Sequence, residues 1–211
     1  MAEKWFGSIK DTPYVVPTIE QEPQQLQARR LEVERDVPAT TITIAFHMGN
    51  RLSRDFFLGD MTSDLLAGGD SARLYERLIK RKRLFASANA YISGDVDCGM
   101  FVFTGQLLPT TSEATAEEAI WEEIADLQAG NISEYEIEKV KNKFEANTLF
   151  GELNVMNKAM NLGYYEMIGD LPLINREVEI YRSLTAGDVA DFSARIFHKE
   201  NSSTLIYRAA K

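Results

Sequence analysis

A chain of 211 residues, 45% hydrophobic and 26% charged, has the length of one large domain or two small ones and the composition of a globular protein with a sizeable core. Its net charge of −9 argues against general binding to nucleic acid or anionic lipid, and no apolar run approaches the roughly 18 to 20 residues that span a bilayer. The single cysteine, Cys98, excludes an internal disulfide and a multi-cysteine zinc site.

In chain order, EKWFGSIK places Trp5 and Phe6 on a segment too short to fold alone. The start has neither the charged n-region nor the apolar h-region of a secretory signal. Residues 11–38 read as a linker, because Pro13, Pro17, Pro23 and a set of glutamines leave no core-forming pattern. The globular pattern begins after Pro38. TTITIAFHM alternates Ile42, Ile44 and Phe46 on one side, which is a strand signal. Residues 54–67 place Phe57, Leu58, Met61, Leu65 and Leu66 at helical spacing, and a second helix is predicted from Ser71 to about Lys82 with Leu74, Leu78 and Ile79 inward. ASANAYISG and GMFVFTGQLL read as two strands joined at Gly94, Asp95, Val96 and Asp97. Residues 113–129 put Ala116, Ala119, Ile120, Ile124 and Leu127 on one helical stripe, ended by Gly130 and Asn131. Ser133 stands three residues before Glu136, a capping-box spacing in which each side chain satisfies a free backbone N–H. A further helix fits residues 153–168, Thr185 and Asp188 open another, and SSTLIYRA closes the chain as a strand. Strands and helices segregate along the chain. The expected class is therefore α+β, an antiparallel sheet with a helical layer.

A search for chemistry finds no self-contained active site. His47 and His198 are the two histidines, far apart and without HxxEH or HxxxH spacing. His47 reads as a surface residue at a strand end, with a site shared with Cys98 and a carboxylate as the alternative. His198 suits the negative end of a helix. No GxSxG elbow accompanies any serine. Glu117, Glu118, Glu122 and Glu123 read as solvated acids on a helix. Lys80, Arg81, Lys82 and Arg83 read as the solvated end of a helix, with a phosphate-binding patch as the alternative. Gly68 and Gly69 lack the Gly-Lys-Ser/Thr ending of a phosphate loop, and Asp70 stands where an anion would sit. The glycines are expected to end one helix, one of them in the left-handed conformation, with Ser71 or Asp70 capping the next. Arg73 then lies in a first helical turn, a poor place for a cation without an acidic or carbonyl partner.

GGDSARLYERLIKRKRLFASANAYISG, TTITIAFHM, ISEYEIEKVKNKFEANTL and LTAGDVADFSARIFHKENSSTLIYRAA, in this order, resemble segments of the pitrilysin/insulinase family of zinc metallopeptidases, which includes the mitochondrial processing peptidase. Gly68, Gly69, Ser71, Arg73 and Leu74 carry the family's helix–turn–helix motif. The resemblance implies a processing-peptidase-like C-terminal domain over residues 39–211. It implies that residues 1–10 are the tail of a missing N-terminal catalytic domain and that 11–38 are the interdomain linker. Zinc and the general base would lie on an HxxEH helix in that missing domain, leaving no cofactor and no catalytic or metal residue in this chain. The family's substrate-contacting arginine and tyrosine fall at Ile79 and Ala86, so that pair is absent, with Arg81, Arg83 or Tyr91 as substitutes.

The function implied is the non-catalytic half of a zinc endopeptidase, forming the chamber wall opposite the zinc and helping to bind unfolded peptide substrates. Its partners would be the N-terminal zinc-binding domain of the same parent chain and peptide, with a homo- or heterodimer beyond that. The alternative is the C-terminal domain of an inactive scaffold or partner subunit of the same family. A nucleotide-binding module is disfavoured by the chemistry at Gly68.

Overall fold

The computed structural model describes residues 1–10, 12–15, 20, 22–94 and 96–210. Parts of the expected linker, including Pro17, and the turn residue Asp95 lie outside the described residues. The elements are α1 (Ala2–Phe6), β1 (Arg29–Arg35), β2 (Thr41–Met48), α2 (Arg54–Ala67), a π-helix (Leu74–Arg81), β3 (Phe85–Gly94) and β4 (Gly99–Leu107). They continue with α3 (Glu113–Gln128), α4 (Glu134–Glu152), α5 (Val155–Met167), α6 (Glu177–Ser183), α7 (Ala186–Ile196) and β5 (Ser202–Ala209). The fold is α+β, with one five-stranded sheet in the order β1-β5-β2-β4-β3.

One face of the sheet carries the core. Ile42, Ile44 and Phe46 alternate along β2 and are wholly buried beneath the helices, as their period of two requires. Phe46, Phe101 and Phe103 meet Phe197 from the end of α7 in edge-on contacts, the tightest being Phe101–Phe197 at 4.7 Å between centroids. All five apolar residues of the predicted stripe on α3 are buried, as are Phe57, Leu58, Met61, Leu65 and Leu66 of α2. The other face carries Thr41, Thr43, Ala45 and His47 of β2, opposite Gln106, Thr104, Val102 and Met100 of β4. Only Val102 among these is fully buried, and Thr43 and Thr104 share a hydrogen bond of 3.3 Å.

Four strands pair antiparallel, as expected, but β1 runs parallel to β5. It falls inside the stretch expected to be linker, so the sheet begins ten residues before 39. The sequence RRLEVER hides this strand because its inward side is ionic. Arg30 reaches Glu117 of α3 at 2.7 Å, and Arg208 of β5 binds Glu113 and Glu32. Ahead of β1, Gln25 is buried and donates to the Ser202 carbonyl at 2.8 Å, tying the incoming chain to the sheet. Trp5, Phe6 and Ile9 are all exposed.

Three further expectations are corrected. The helix predicted over 71–82 is a π-helix over Leu74–Arg81, and neither Ser71 nor Asp70 caps it with a side chain. The Lys82 N–H reaches back five residues to Arg77, and Leu84 N–H closes the end onto Leu78. Glu123 is not a solvated acid but a buried one, facing Arg77. Residues 171–183 add a short 3₁₀ turn and α6, which no capping signal announced.

Candidate functional site

The motif from Gly68 to Leu74 forms the joint between α2, the π-helix and the two long helices that follow. Gly68 ends α2 by donating to the Asp64 carbonyl at 2.7 Å, and a Cβ there would fall 2.3 Å from that oxygen. Gly69 takes φ +124°, a backbone that side chains rarely adopt. The turn is held from α4: Lys143 Nζ donates to the Gly68 carbonyl and to Asp64, and Lys139 Nζ donates to the Ser71 carbonyl at 3.1 Å. Lysines thus engage the Gly68 and Ser71 carbonyls of this turn, and Asp70 is exposed beside it.

Arg73 has the partners its position demands. It is 4% exposed, and its guanidinium forks onto Glu136, with Nε at 2.7 Å and Nη2 at 2.9 Å. Nη2 also donates to the Asn131 carbonyl at 2.6 Å, and Nη1 to Asp126 at 3.2 Å. One turn later Arg77 donates to Asp126 and Glu123. The five-residue hydrogen-bond step of the π-helix brings residues four apart nearly into line, so both arginines face one row of acids. Burial pushes the Glu136 carboxyl up, but hydrogen bonds from Arg73 and Ser133 outweigh it and hold the group at about 2. Burial wins at Glu123, whose carboxyl is raised in spite of Arg77. The expected capping box at Ser133 and Glu136 is present, so one carboxylate serves both the cap and Arg73.

The three residues considered as substrate contacts are not drawn together by hydrogen bonds or ion pairs. Tyr91 stands on the uncovered face of the sheet, exposed and opposite Val102. Arg81 and Arg83 lie at the end of the π-helix, and Arg83 takes φ 52° to turn the chain into β3. Among the described residues neither arginine has an ion pair, whereas Lys80 pairs with Glu76 and Lys82 with Glu122. Ile79, where the family arginine would fall, packs against the core, and Ala86 is exposed at the β3 bulge.

His47 and Cys98 do line one cavity of about 610 Å³, with Asp97, Asn201 and Gln25 among its walls. Among the described residues no group of three His, Cys, Asp or Glu converges as metal ligands would, so the donors present do not fit zinc. His198 lies just past α7 with Glu200 at 3.1 Å.

A second buried cluster had no announced signal. Arg51, just after β2, is 6% exposed and pairs with Glu177 of α6, while Nη2 lies 3.3 Å from the Tyr165 hydroxyl. Its guanidinium stacks over Phe56 at 4.1 Å. Beside it Tyr181 donates to Asp60 at 2.6 Å, and burial raises the Asp60 carboxyl. For Glu123 a signal did exist, since it shares the helical stripe of Ile120, Ile124 and Leu127.

The fold is that of an α+β domain in which, among the described residues, no three metal-ligating side chains converge. The family description "Peptidase M16 inactive domain" matches residues 1–144, and the chain belongs to that family. Comparison with curated proteins gives no match. Among solved structures, a protease from Helicobacter pylori superposes over 98% of this chain and 50% of its own, with TM-score 0.92 and 23% identity. The peptidase M16 inactive domain from Pseudomonas fluorescens matches over 93% of this chain and 47% of its own, with TM-score 0.78 and 16% identity. The periplasmic protease PqqL from Escherichia coli matches over 99% of this chain and 23% of its own, with TM-score 0.77 and 14% identity. The chain spans about half the length of the Helicobacter pylori protease. No helix among the described residues is long and apolar enough to cross a membrane.

Proposed function

We propose that this chain is the non-catalytic half of a zinc endopeptidase, walling the chamber opposite a zinc-bearing half and helping to hold unfolded peptide. The observation that carries the reading is the sheet's uncovered face. Leu31, Ala45, Leu205 and Tyr207 alternate there with threonines, serines and Asn89, and charge is confined to its margins. Such a face can meet an extended peptide without selecting for side-chain charge. Tyr91 and the ion-pair-free Arg81 and Arg83 are the groups nearest in chemistry to the missing arginine–tyrosine pair, each able to donate to peptide carbonyls. In the working enzyme the metal would supply an activated water from the other half, and this chain would supply walls and contacts.

A second reading, an inactive partner subunit of the same family, is favoured by one feature: the position of the family arginine is held by Ile79, which packs against the core and offers no hydrogen-bond donor to a substrate. An unstructured fluorogenic peptide, with zinc present, separates the two. The test compares this chain, the preceding half of the parent, and their mixture. Cleavage by the mixture alone is expected, and no cleavage by any combination or by the intact parent transfers the conclusion to the partner-subunit reading.

A further inference from the structure

Helix α5 is turned inside out. Met156, Ala159, Met160, Gly163 and Met167 recur at helical spacing on the side away from Tyr165, which is the helix's one buried residue, and Val155 opens the helix beside them. Met156 and Met160 are each 66% exposed and Val155 82%. The side toward the domain carries polar residues instead: Asn157 and Asn161 line a cavity of about 200 Å³ together with Glu177. The end of α4 extends the apolar side with Leu149, Phe150 and Leu153, all exposed. A Cβ added at Gly163 would meet nothing within 4 Å, so no neighbour lies against the surface there. An amphipathic helix ordinarily turns its apolar side to protein. A contiguous apolar surface of this kind marks an interaction site.

Three observations select what covers it. The surface is almost uncharged, with Glu152, Lys158 and Glu166 the charged residues between 148 and 167, and the chain is strongly acidic, which disfavours a lipid surface. The Helicobacter pylori protease is twice the length of this chain, so a protein built to that plan has a further half to place beside this domain. The helix that carries the surface is also tied to the end of the sheet where the chain enters. Arg51, which anchors α5 through Tyr165, follows His47 by four residues, and the His47 carbonyl accepts from Asn201, next to the Ser202 carbonyl that accepts from Gln25. From these we infer that the outward side of α5, with the tip of α4, is the surface on which the preceding half of the parent polypeptide docks. The inference rests on the proposal that the chain is one half of such a protease. Methionines suit the role, since their flexible thioethers fill an irregular partner surface.

The test uses the parent protein with a specific cleavage site placed between residues 11 and 24, cut after purification and passed over a sizing column. The halves are expected to stay together. Met156→Glu with Met160→Glu should weaken their association by roughly thirtyfold or more, the scale of an interface hot spot. The same pair in the 211-residue chain should leave its melting temperature unchanged, and Tyr135→Glu at the far end of α4 should leave the halves together. Halves that remain together in the double variant, or that separate in the wild type, overturn the inference. So does a stable dimer of the 211-residue chain that the same substitutions dissolve, because a second copy would then be the occupant. If the variant separates the halves yet the uncut parent cleaves no peptide, the docking surface stands and the protease reading fails.

Discussion

Two arginines in this domain are almost fully withdrawn from solvent, and they are held in opposite ways. Arg73 spends every guanidinium nitrogen on a carboxylate or carbonyl: Glu136 twice, Asp126 and the Asn131 carbonyl. Arg51 gives Nη2 to Glu177 and Tyr165, leaves Nη1 without a hydrogen-bond partner, and rests its charge on the rings of Phe56 and Phe57. The first arrangement is a fully satisfied network joining three helices and a loop. The second is a half-satisfied ion pair lined with aromatics. Buried polar groups stabilise when every member is paired and become costly when one is not. The two arginines should therefore answer differently to the same substitutions.

The largest effect belongs to Arg73→Ala. It strands Glu136 and Asp126 beside Glu123, with Arg77 as the remaining cation. A loss of about 3–5 kcal/mol in urea unfolding is expected, the range for breaking a buried pair. Arg73→Lys should fall between, since an ammonium cannot fork onto Glu136. A loss below about 1 kcal/mol for Arg73→Ala would break the contrast, because surface ion pairs already reach that value. Arg51 sharpens it from the other side. Arg51→Met combined with Glu177→Met removes both charges and the orphaned Nη1 together. That double variant is expected within about 1 kcal/mol of wild type, or above it. The matching pair at Arg73 and Glu136 should remain well below wild type, since Asp126 and the Asn131 carbonyl lose their donor.

Acid titration reads the same difference. The Glu136 carboxyl is held at about 2, so its contribution is complete above the ordinary carboxyl range and is lost as pH falls from about 4.5 toward 2. Asp60, beside Arg51 and Tyr181, is shifted the other way: burial raises it, with Tyr181 acting against the shift. Its contribution is complete below the ordinary value of 3.8 and is lost as pH rises through the raised one. Asp60→Asn keeps an acceptor for the Tyr181 hydroxyl and removes that loss. It should match or exceed wild-type stability at pH 7, by about 0–2 kcal/mol, with the advantage shrinking in urea midpoints taken toward pH 4. An advantage that grows on acidification would show that Asp60 is stabilised as the anion.

These two regions also differ in how far the residues announce them. Arg73 sits in a first helical turn, which by itself demands a partner, and Ser133 with Glu136 advertises a cap by spacing alone. Local rules of this kind, together with the period-two apolar run of β2 and the stripe of α3, give the α+β class and most of the core. Arg51 follows a strand in a loop, and its partners come from α2, α5 and α6, more than a hundred residues away for Glu177 and Tyr165. No local period encodes such a meeting. β1 is a related case: Leu31 and Val33 alternate with Arg30, Glu32 and Glu34, but the apolar side faces away from the core and the core-facing side is satisfied by ion pairs, within a stretch that reads as linker. Glu123 is legible by its stripe, although its neighbour Glu122 is the exposed acid that such a pair suggests for both. The π-helix is likewise invisible, since nothing local in LYERLIKR distinguishes a five-residue hydrogen-bond step from a four-residue one.

The smallest effects test whether a cap can be part of the buried network. Ser133 and Thr185 form the same box, with side-chain oxygens 3.3 Å and 3.2 Å from the third residue's N–H. An N-cap lost to alanine costs about 1 kcal/mol, and both substitutions should show at least that. Their carboxylates are otherwise engaged very differently. Asp188 also meets Arg54, whose side chain is more than half exposed, while Glu136 also holds Arg73. Losing the Ser133 hydroxyl removes one of the bonds that fix the Glu136 carboxylate, and so loosens the fork on Arg73. Ser133→Ala should therefore cost a few tenths of a kcal/mol more than Thr185→Ala, on the scale at which neighbouring groups couple. The excess should vanish when both are measured in an Arg73→Lys background. If Ser133→Ala and Thr185→Ala cost the same in the wild type, the cap and the arginine act independently, and the network ends at the three groups that touch Arg73.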